Sequence, residues 1–205
     1  MVAPDAPDVP DVDGPRAPLT VPQVQALFGA LTVRWWLSGG HAIDHRLGRV
    51  SREHGDIDVS TLRPLLPALL ERLPGTLVPF AAMSGRVRPL FQHLDDPLLH
   101  NIWVHDHLTH RWVLQINLEN GDDEHWAYRR HPDITLPWHR AVQPVAGVPT
   151  GTPATQLLWK AKSPRAVDEH DLAVTHLSTE EQAWLQNSIR AAHPDSPWVL
   201  RHTDT

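Results

Sequence analysis

At 205 residues with 41% hydrophobic side chains, the chain suffices for one domain, or one domain plus a small cap, with a real core. A net charge of −6 argues against a nucleic-acid polyanion as the main partner, since phosphate contacts demand clustered Lys and Arg; a cationic substrate would suit an acidic cleft better. Zero cysteines exclude disulfides and thiolate metal sites, no apolar run approaches the ~18 residues of a membrane span, and Met1–Asp5 does not read as a signal peptide, so a cytoplasmic location is expected.

Residues 1–18 hold five Pro and four Asp with one Arg, a composition with too little apolar surface to offset ordering entropy, and are expected to be a disordered tail. A helix is predicted from about Pro22 through Leu31, then a short strand from Val33 to Leu37. Gly39-Gly40 frees the backbone for a tight turn, and His41 to Leu47 suits about two helical turns closed by Gly48. Asp56-Ile57-Asp58-Val59 reads as the next strand. Ser60-Thr61 then suits the cap of a helix over Leu62 to Leu73, with Pro64 tolerated in its first turn and Pro67 able to bend it.

Residues 77–138 read as a run of strands: Leu77–Ala82, Val87–Gln92, Asn101–His105, Arg111–Leu118 and Ala127–Arg130. A Gly/Pro/Thr-rich stretch over residues 147–153 reads as a linker, followed by helices over Ala154–Lys162, Ala166–His176 and Thr179–Ala192. This gives a tail (1–18), a core (19–146), and a linker with a helical C-terminal portion (147–205). Nine Trp against three Phe and one Tyr are read as packing residues.

Strand, glycine turn and helix start together make a ready anion site, because unpaired backbone N–H groups point outward there. Gly39 and Gly40 would let amides approach phosphate oxygens, with Ser38 adding a hydroxyl or serving as the helix cap. On the following strand, alternation puts Asp56 and Asp58 on one face and Ile57 on the other. Two such carboxylates beside a phosphate cradle are what Mg²⁺-dependent phosphoryl transfer requires. Arg49, Arg52 and His54 flank them, and structural pairing with Asp44 or Asp56 is favoured over phosphate contact. His105-Asp106-His107 and His110 cluster around a turn, but zinc needs three or four converging ligands, which their spacing does not establish.

The stretch Gly39-Gly40-His41-Ala42-Ile43-Asp44-His45-Arg46-Leu47-Gly48-Arg49, continued by Arg52-Glu53-His54-Gly55-Asp56-Ile57-Asp58, resembles the small antibiotic nucleotidyltransferases that adenylylate aminoglycosides or lincosamides. These belong to the polymerase-beta-like nucleotidyltransferase superfamily. The resemblance implies an α/β (α+β) nucleotidyltransferase fold, a small mixed sheet flanked by helices with a short helical C-terminal portion. It implies ATP as nucleotide donor, Mg²⁺ on Asp56 and Asp58, and a small-molecule hydroxyl as acceptor. A second stretch from Gln156 to Leu172, with Leu157-Leu158-Trp159-Lys160-Ala161-Lys162 and with Asp168 and Asp171, resembles the family segment whose lysine helps hold the triphosphate and whose Asp pair ties the helices to the core. Lys160 and Lys162, with Arg52, are the corresponding phosphate-binding candidates.

The superfamily also carries a third carboxylate on a later strand, often the base toward the acceptor hydroxyl. The matching strand here presents Gln115 and Asn117, which cannot accept a proton, and Glu119 is the nearest acid, with Asp122, Asp123 and Glu124 in the turn beyond. The alternative expectation is therefore a weak or inactive relative that binds a nucleotide or a protein partner, including a toxin–antitoxin-type enzyme that modifies a protein.

Overall fold

A computed structural model of the chain describes residues 9–199. Helix α1 (Val21–Phe28) opens with a capping box in which Thr20 and Gln23 satisfy each other's backbone N–H groups. Strand β1 (Trp35–Ser38) leads directly into α2 (Gly39–Leu47), which closes at Gly48 through bonds from its N–H to the Asp44 and His45 carbonyls. Strand β2 (Asp58–Leu62) follows.

The long helix expected over 62–73 is not formed. Ser60 and Thr61 belong to β2, Thr61 Oγ1 donating to the Arg34 carbonyl at 2.7 Å, and only a 3₁₀ turn (Arg63–Leu65) and a short α3 (Leu66–Leu70) come after them. Pro64 and Pro67 each remove a helix N–H within four residues, and one continuous helix cannot be sustained across both.

Next come β3 (Leu77–Met83), β4 (Arg86–Pro89), β5 (Asn101–Asp106), β6 (Arg111–Gly121) and β7 (His125–Ala127). The first four lie where strands were predicted, except that Leu90–Gln92 form a 3₁₀ turn instead of extending β4, and β7 shares only Ala127 with the strand expected over Ala127–Arg130. Strand β8 (Thr135–Pro137), α4 (Trp138–Ala141), β9 (Val142–Val145) and β10 (Val148–Gly151) follow. The stretch read as a linker is thus mostly β10, paired antiparallel to β9 and parallel to β1. The hairpin turns at Ala146 and Gly147, both at positive φ, and sets Pro149 opposite Pro144. Two prolines in four-residue strands hid the pairing, because proline argues against a strand in a sequence reading. Helices α5 (Pro153–Lys160), α6 (Ala166–Val174) and α7 (Thr179–Ala192) complete the chain.

The compact units do not follow the boundary expected at residue 146. Among the described residues, those up to Trp35 with His54–Glu119 form the first unit, and Trp36–Glu53 with those from Asn120 onward form the second. The first unit is a sheet in the order β4-β3-β5-β6-β2, antiparallel except for the parallel β2–β6 pair. Its register sorts the side chains into two faces. Val59, Ile116 and Ile102 lie in one row, fully buried, while the neighbouring row of opposite facing runs Asp58, Gln115, Trp103, Phe80. The second unit packs Trp36, Ile43, Trp126, Tyr128, Leu157, Ile189 and Trp198 into one core, so several of the tryptophans are indeed packing residues.

Of the tail expected to be disordered, residues 1–8 lie outside the described residues. Residues 9–18 are docked. The Trp112 N–H donates to the Pro15 carbonyl at 3.0 Å, Ala17 N–H to the Trp112 carbonyl at 2.9 Å, and the Trp112 indole N–H to the Asp11 carbonyl at 2.8 Å. Val12 packs against the cluster of Phe80, Val87 and Trp112. The segment is held by backbone pairing to a tryptophan, which its apolar content could not announce. A chain starting at Leu19 is expected to lose about 2 kcal/mol through these bonds, lowering Tm by roughly 4–8 °C in a thermal melt; an unchanged Tm would show the docking to be inconsequential.

Candidate functional site

In the first unit, Asp58 opens β2 directly opposite Gln115, and the carbonyl of Ile57 accepts the Gln115 N–H at 2.9 Å. The strand starts two residues later than expected, yet the alternation holds: Asp56 is exposed, Ile57 fully buried and Asp58 half-buried. Gln115 and Asn117 lie on the Asp58 face, as alternation requires. Gln115 Nε2 donates to Asn117 Oδ1 at 2.7 Å, and Asn117 Nδ2 donates to Asp58 Oδ1 at 3.0 Å. An amide chain therefore stands at the strand where a third acid was sought, and it fixes one oxygen of Asp58.

Glu119 shares that face but pairs with Leu62 and is 6% exposed. Four residues of strand carry it about 13 Å beyond Gln115, so the register does not bring it to the Asp56/Asp58 pair. Asp122 is bound into its own turn, accepting from the N–H groups of Glu124 and His125, and the His125 bond foremost holds its carboxyl below the ordinary carboxylate range.

In the second unit, the turn from β1 into α2 passes through Gly39 at φ 66°, a conformation that side chains with a Cβ rarely adopt. Ser38 occupies the N-cap position without a side-chain capping bond and is buried, as is Gly40. The Gly39 N–H donates to Gln156 Oε1 at 2.7 Å. Gln156 is buried on α5, and a Cβ at residue 151 would overlap its amide, so Gly151 is what admits it. No local signal marks Gln156; only its contact 117 residues upstream reveals it as the residue that holds the glycine turn. Gln156→Leu, close in shape, should leave that N–H unsatisfied and cost about 1–3 kcal/mol in urea unfolding. Wild-type stability in the variant would show that another group takes over the amide.

Beyond α2, Ser51 donates to both oxygens of Asp44, from its N–H at 3.1 Å and its hydroxyl at 2.5 Å. Arg52 does not pair with Asp44 or Asp56 as expected. Its Nε and Nη2 reach the two oxygens of Asp171 at 2.7 and 2.8 Å. Lys160 Nζ joins the same cluster, 2.8 Å from Asp168 and 3.0 Å from Asp171, and Arg165 Nε lies 2.9 Å from Asp168. Burial alone would push both carboxyls up. The hydrogen bonds from Arg165 and Lys160 to Asp168, and from Arg52 and Lys160 to Asp171, outweigh burial and hold both below the ordinary range. The bond to Asp171 raises Arg52 in turn. Two of the predicted phosphate-binding cations thus serve here to fasten α5, α6 and the loop after α2, while Lys162 is exposed.

Among the described residues no group of three or more His, Asp or Glu side chains is arranged to hold a metal ion, so the zinc arrangement around His105, His107 and His110 is not formed. Those histidines line, with Val9–Asp11 and Phe80, a cavity of about 510 Å³. Among the same residues no helix is long and apolar enough to cross a membrane.

The family model for aminoglycoside-2''-adenylyltransferase matches residues 20–93. Two curated relatives, the 2''-aminoglycoside nucleotidyltransferases of Escherichia coli and Klebsiella pneumoniae, are each 48% identical over 46 residues, 21% of this chain and 26% of theirs. The aligned part is about a quarter of the length of those relatives. The solution structure of the antibiotic-resistance factor ANT(2'')-Ia superposes with a TM-score of 0.52 at 20% identity, covering 83% of this chain and 89% of that one. The chain therefore has the same fold as that antibiotic-resistance factor, and in the segment that holds Ser38 to Asp58 it resembles the aminoglycoside-2''-adenylyltransferases.

Proposed function

We propose that this chain transfers a nucleoside monophosphate, AMP from ATP, to a hydroxyl of a small molecule of the aminoglycoside or lincosamide class, releasing pyrophosphate. The observation that carries the reading is Asp56 and Asp58 on either side of a fully buried Ile57, within the matched residues 20–93. The net charge of −6 suits a polycationic acceptor.

The donor set fits Mg²⁺. Asp56 and Asp58 supply hard oxygens, and a Mg²⁺ site of this kind takes its remaining ligands from phosphates and water, so a third protein acid is not required for binding. When bound, the ion would neutralise charge on the α-phosphate. Asn117, donating to one oxygen of Asp58, orients the carboxylate. Gln156, through the Gly39 amide, sets the turn from which the Gly40 backbone would meet phosphate oxygens. By the family resemblance, Lys160 and Lys162 would be the cations for the triphosphate, and Lys160 has one N–H left beyond the bonds to Asp168 and Asp171. Incubating the full chain with labelled ATP, Mg²⁺ and a panel of hydroxylated antibiotics should yield an adenylylated product; absence of product across the panel together with absence of ATP binding would overturn the reading.

The amide chain Gln115–Asn117–Asp58 favours a second reading, a nucleotide-binding relative with little turnover. A general base is typically worth about 10²–10⁴ in rate, and neither amide titrates. Gln115→Asp is expected to raise kcat by about tenfold or more if the acceptor lacks a base; a fall in kcat would place the base elsewhere.

A further inference from the structure

The segment ahead of α1 lies outside the matched residues 20–93 and takes no part in the reaction as described, yet Arg16 bridges in parallel to Trp112 of β6, the strand that pairs with β2. Directly paired residues of neighbouring strands share a face, so Trp103, Gln115 and Asp58 stand side by side there. The irregularity between Val104 and His105 brings Trp112 into contact with Trp103, ring centroids 5.5 Å apart at a steep angle. Pro15 and Ala17 pair with the Trp112 backbone, and Leu19 N–H donates to the Val113 carbonyl at 2.9 Å. This fastening lays the Arg16 guanidinium over the Trp103 ring, 4.6 Å from its centroid. A small recess beside it is lined by Arg16, Gly55, Asp56, Trp103 and Gln115.

Arg16 thus lines the same recess as one of the two proposed metal-binding carboxylates. Among the described residues it makes no ion pair and no side-chain hydrogen bond, so its five N–H donors are uncommitted. Stacking on the indole holds the stem and charge without using those donors, which limits the rotamer entropy lost when an anion arrives. A cationic acceptor would be repelled by this group. Beside carboxylates that would hold Mg²⁺, the anion such a guanidinium suits is a phosphate.

We infer that Arg16 is a phosphate-binding residue of the nucleotide site, supplied by the docked N-terminal segment; this rests on the proposed nucleotidyltransferase reading. Guanidinium is suited to the role because its planar fork matches two phosphate oxygens at once. The test is calorimetric titration of the full chain with ATP and Mg²⁺, at low and high salt, for wild type, Arg16→Gln and Arg16→Lys. Arg16→Gln should weaken ATP binding about tenfold, flatten the salt dependence and leave Tm within a degree or two, and Arg16→Lys should recover part of the affinity. Affinity within twofold of wild type in Arg16→Gln overturns the assignment. So does a lower Tm with wild-type affinity regained on cooling, which would make Arg16 a packing residue. If wild type itself binds no ATP, the nucleotidyltransferase reading falls and this inference falls with it.

Discussion

Replacing Asp171 by Asn should lower the melting temperature by roughly 6–12 °C, the largest loss expected from a single polar substitution in this chain. Asp171 is fully buried and receives three contacts from two cations, the paired bonds of Arg52 and the ammonium of Lys160. Asn keeps the shape and removes the charge, which leaves Arg52 without its carboxylate partner and Lys160 with Asp168 alone. Breaking one partner of a buried ionic cluster typically costs about 3–5 kcal/mol, and the partial exposure of both cations, 17% and 11%, puts the figure here near 3 kcal/mol. At about 2–4 °C per kcal/mol for a chain of this length, the stated shift follows.

The same cluster fixes an acid limb. Asp168 and Asp171 have folded-state values below the ordinary 3.8, so their contribution is fully present above that value and is lost as pH falls below it. Wild type should therefore shed stability steeply below about pH 4, and Asp171→Asn should do so less steeply. Parallel acid limbs for the two proteins would show that the cluster does not govern acid unfolding.

Asp58→Asn carries the largest expected effect on activity. The proposed adenylyl transfer should fall about 10³-fold or more in the variant, because charge neutralisation by the proposed metal in a transition state is worth several kcal/mol and each 1.36 kcal/mol is tenfold. Its fold should survive. The amide oxygen introduced by that substitution can still accept the bond that Asn117 now donates to Asp58 Oδ1, and one of two neighbouring like charges is gone, so Tm should hold or rise. Wild-type turnover, or Mg²⁺-ATP affinity unchanged from wild type, would remove Asp58 from the site.

The parts of this molecule that were legible in its sequence are those whose causes are local. Gly39 at positive φ, the cap at Gly48 and the alternation of Asp56, Ile57 and Asp58 each depend on neighbours within a few residues, and each stands where it was expected. The facing of Gln115 and Asn117 toward Asp58 followed from strand periodicity alone. What was not legible rests on partners far along the chain. Arg52 was assigned to nearby acids but takes Asp171, 119 residues on, and Gln156 has no motif that ties it to Gly39. Strands β9 and β10 were missed because their prolines contradict the local rule that the hairpin overrides. The N-terminal segment was misread because composition reports apolar content, and the segment is held by a tryptophan backbone and a cation over an indole.

The bond from Gly39 to Gln156 also has a consequence for how the protein is made. It closes a loop of 117 residues, so while the chain is being synthesised the glycine turn has no partner until α5 has left the ribosome. At about 5–20 residues per second that interval lasts roughly 6–25 s, during which β1 and its buried Trp36 wait exposed. A transcript truncated before residue 156 would yield the glycine turn without the side chain that accepts its amide.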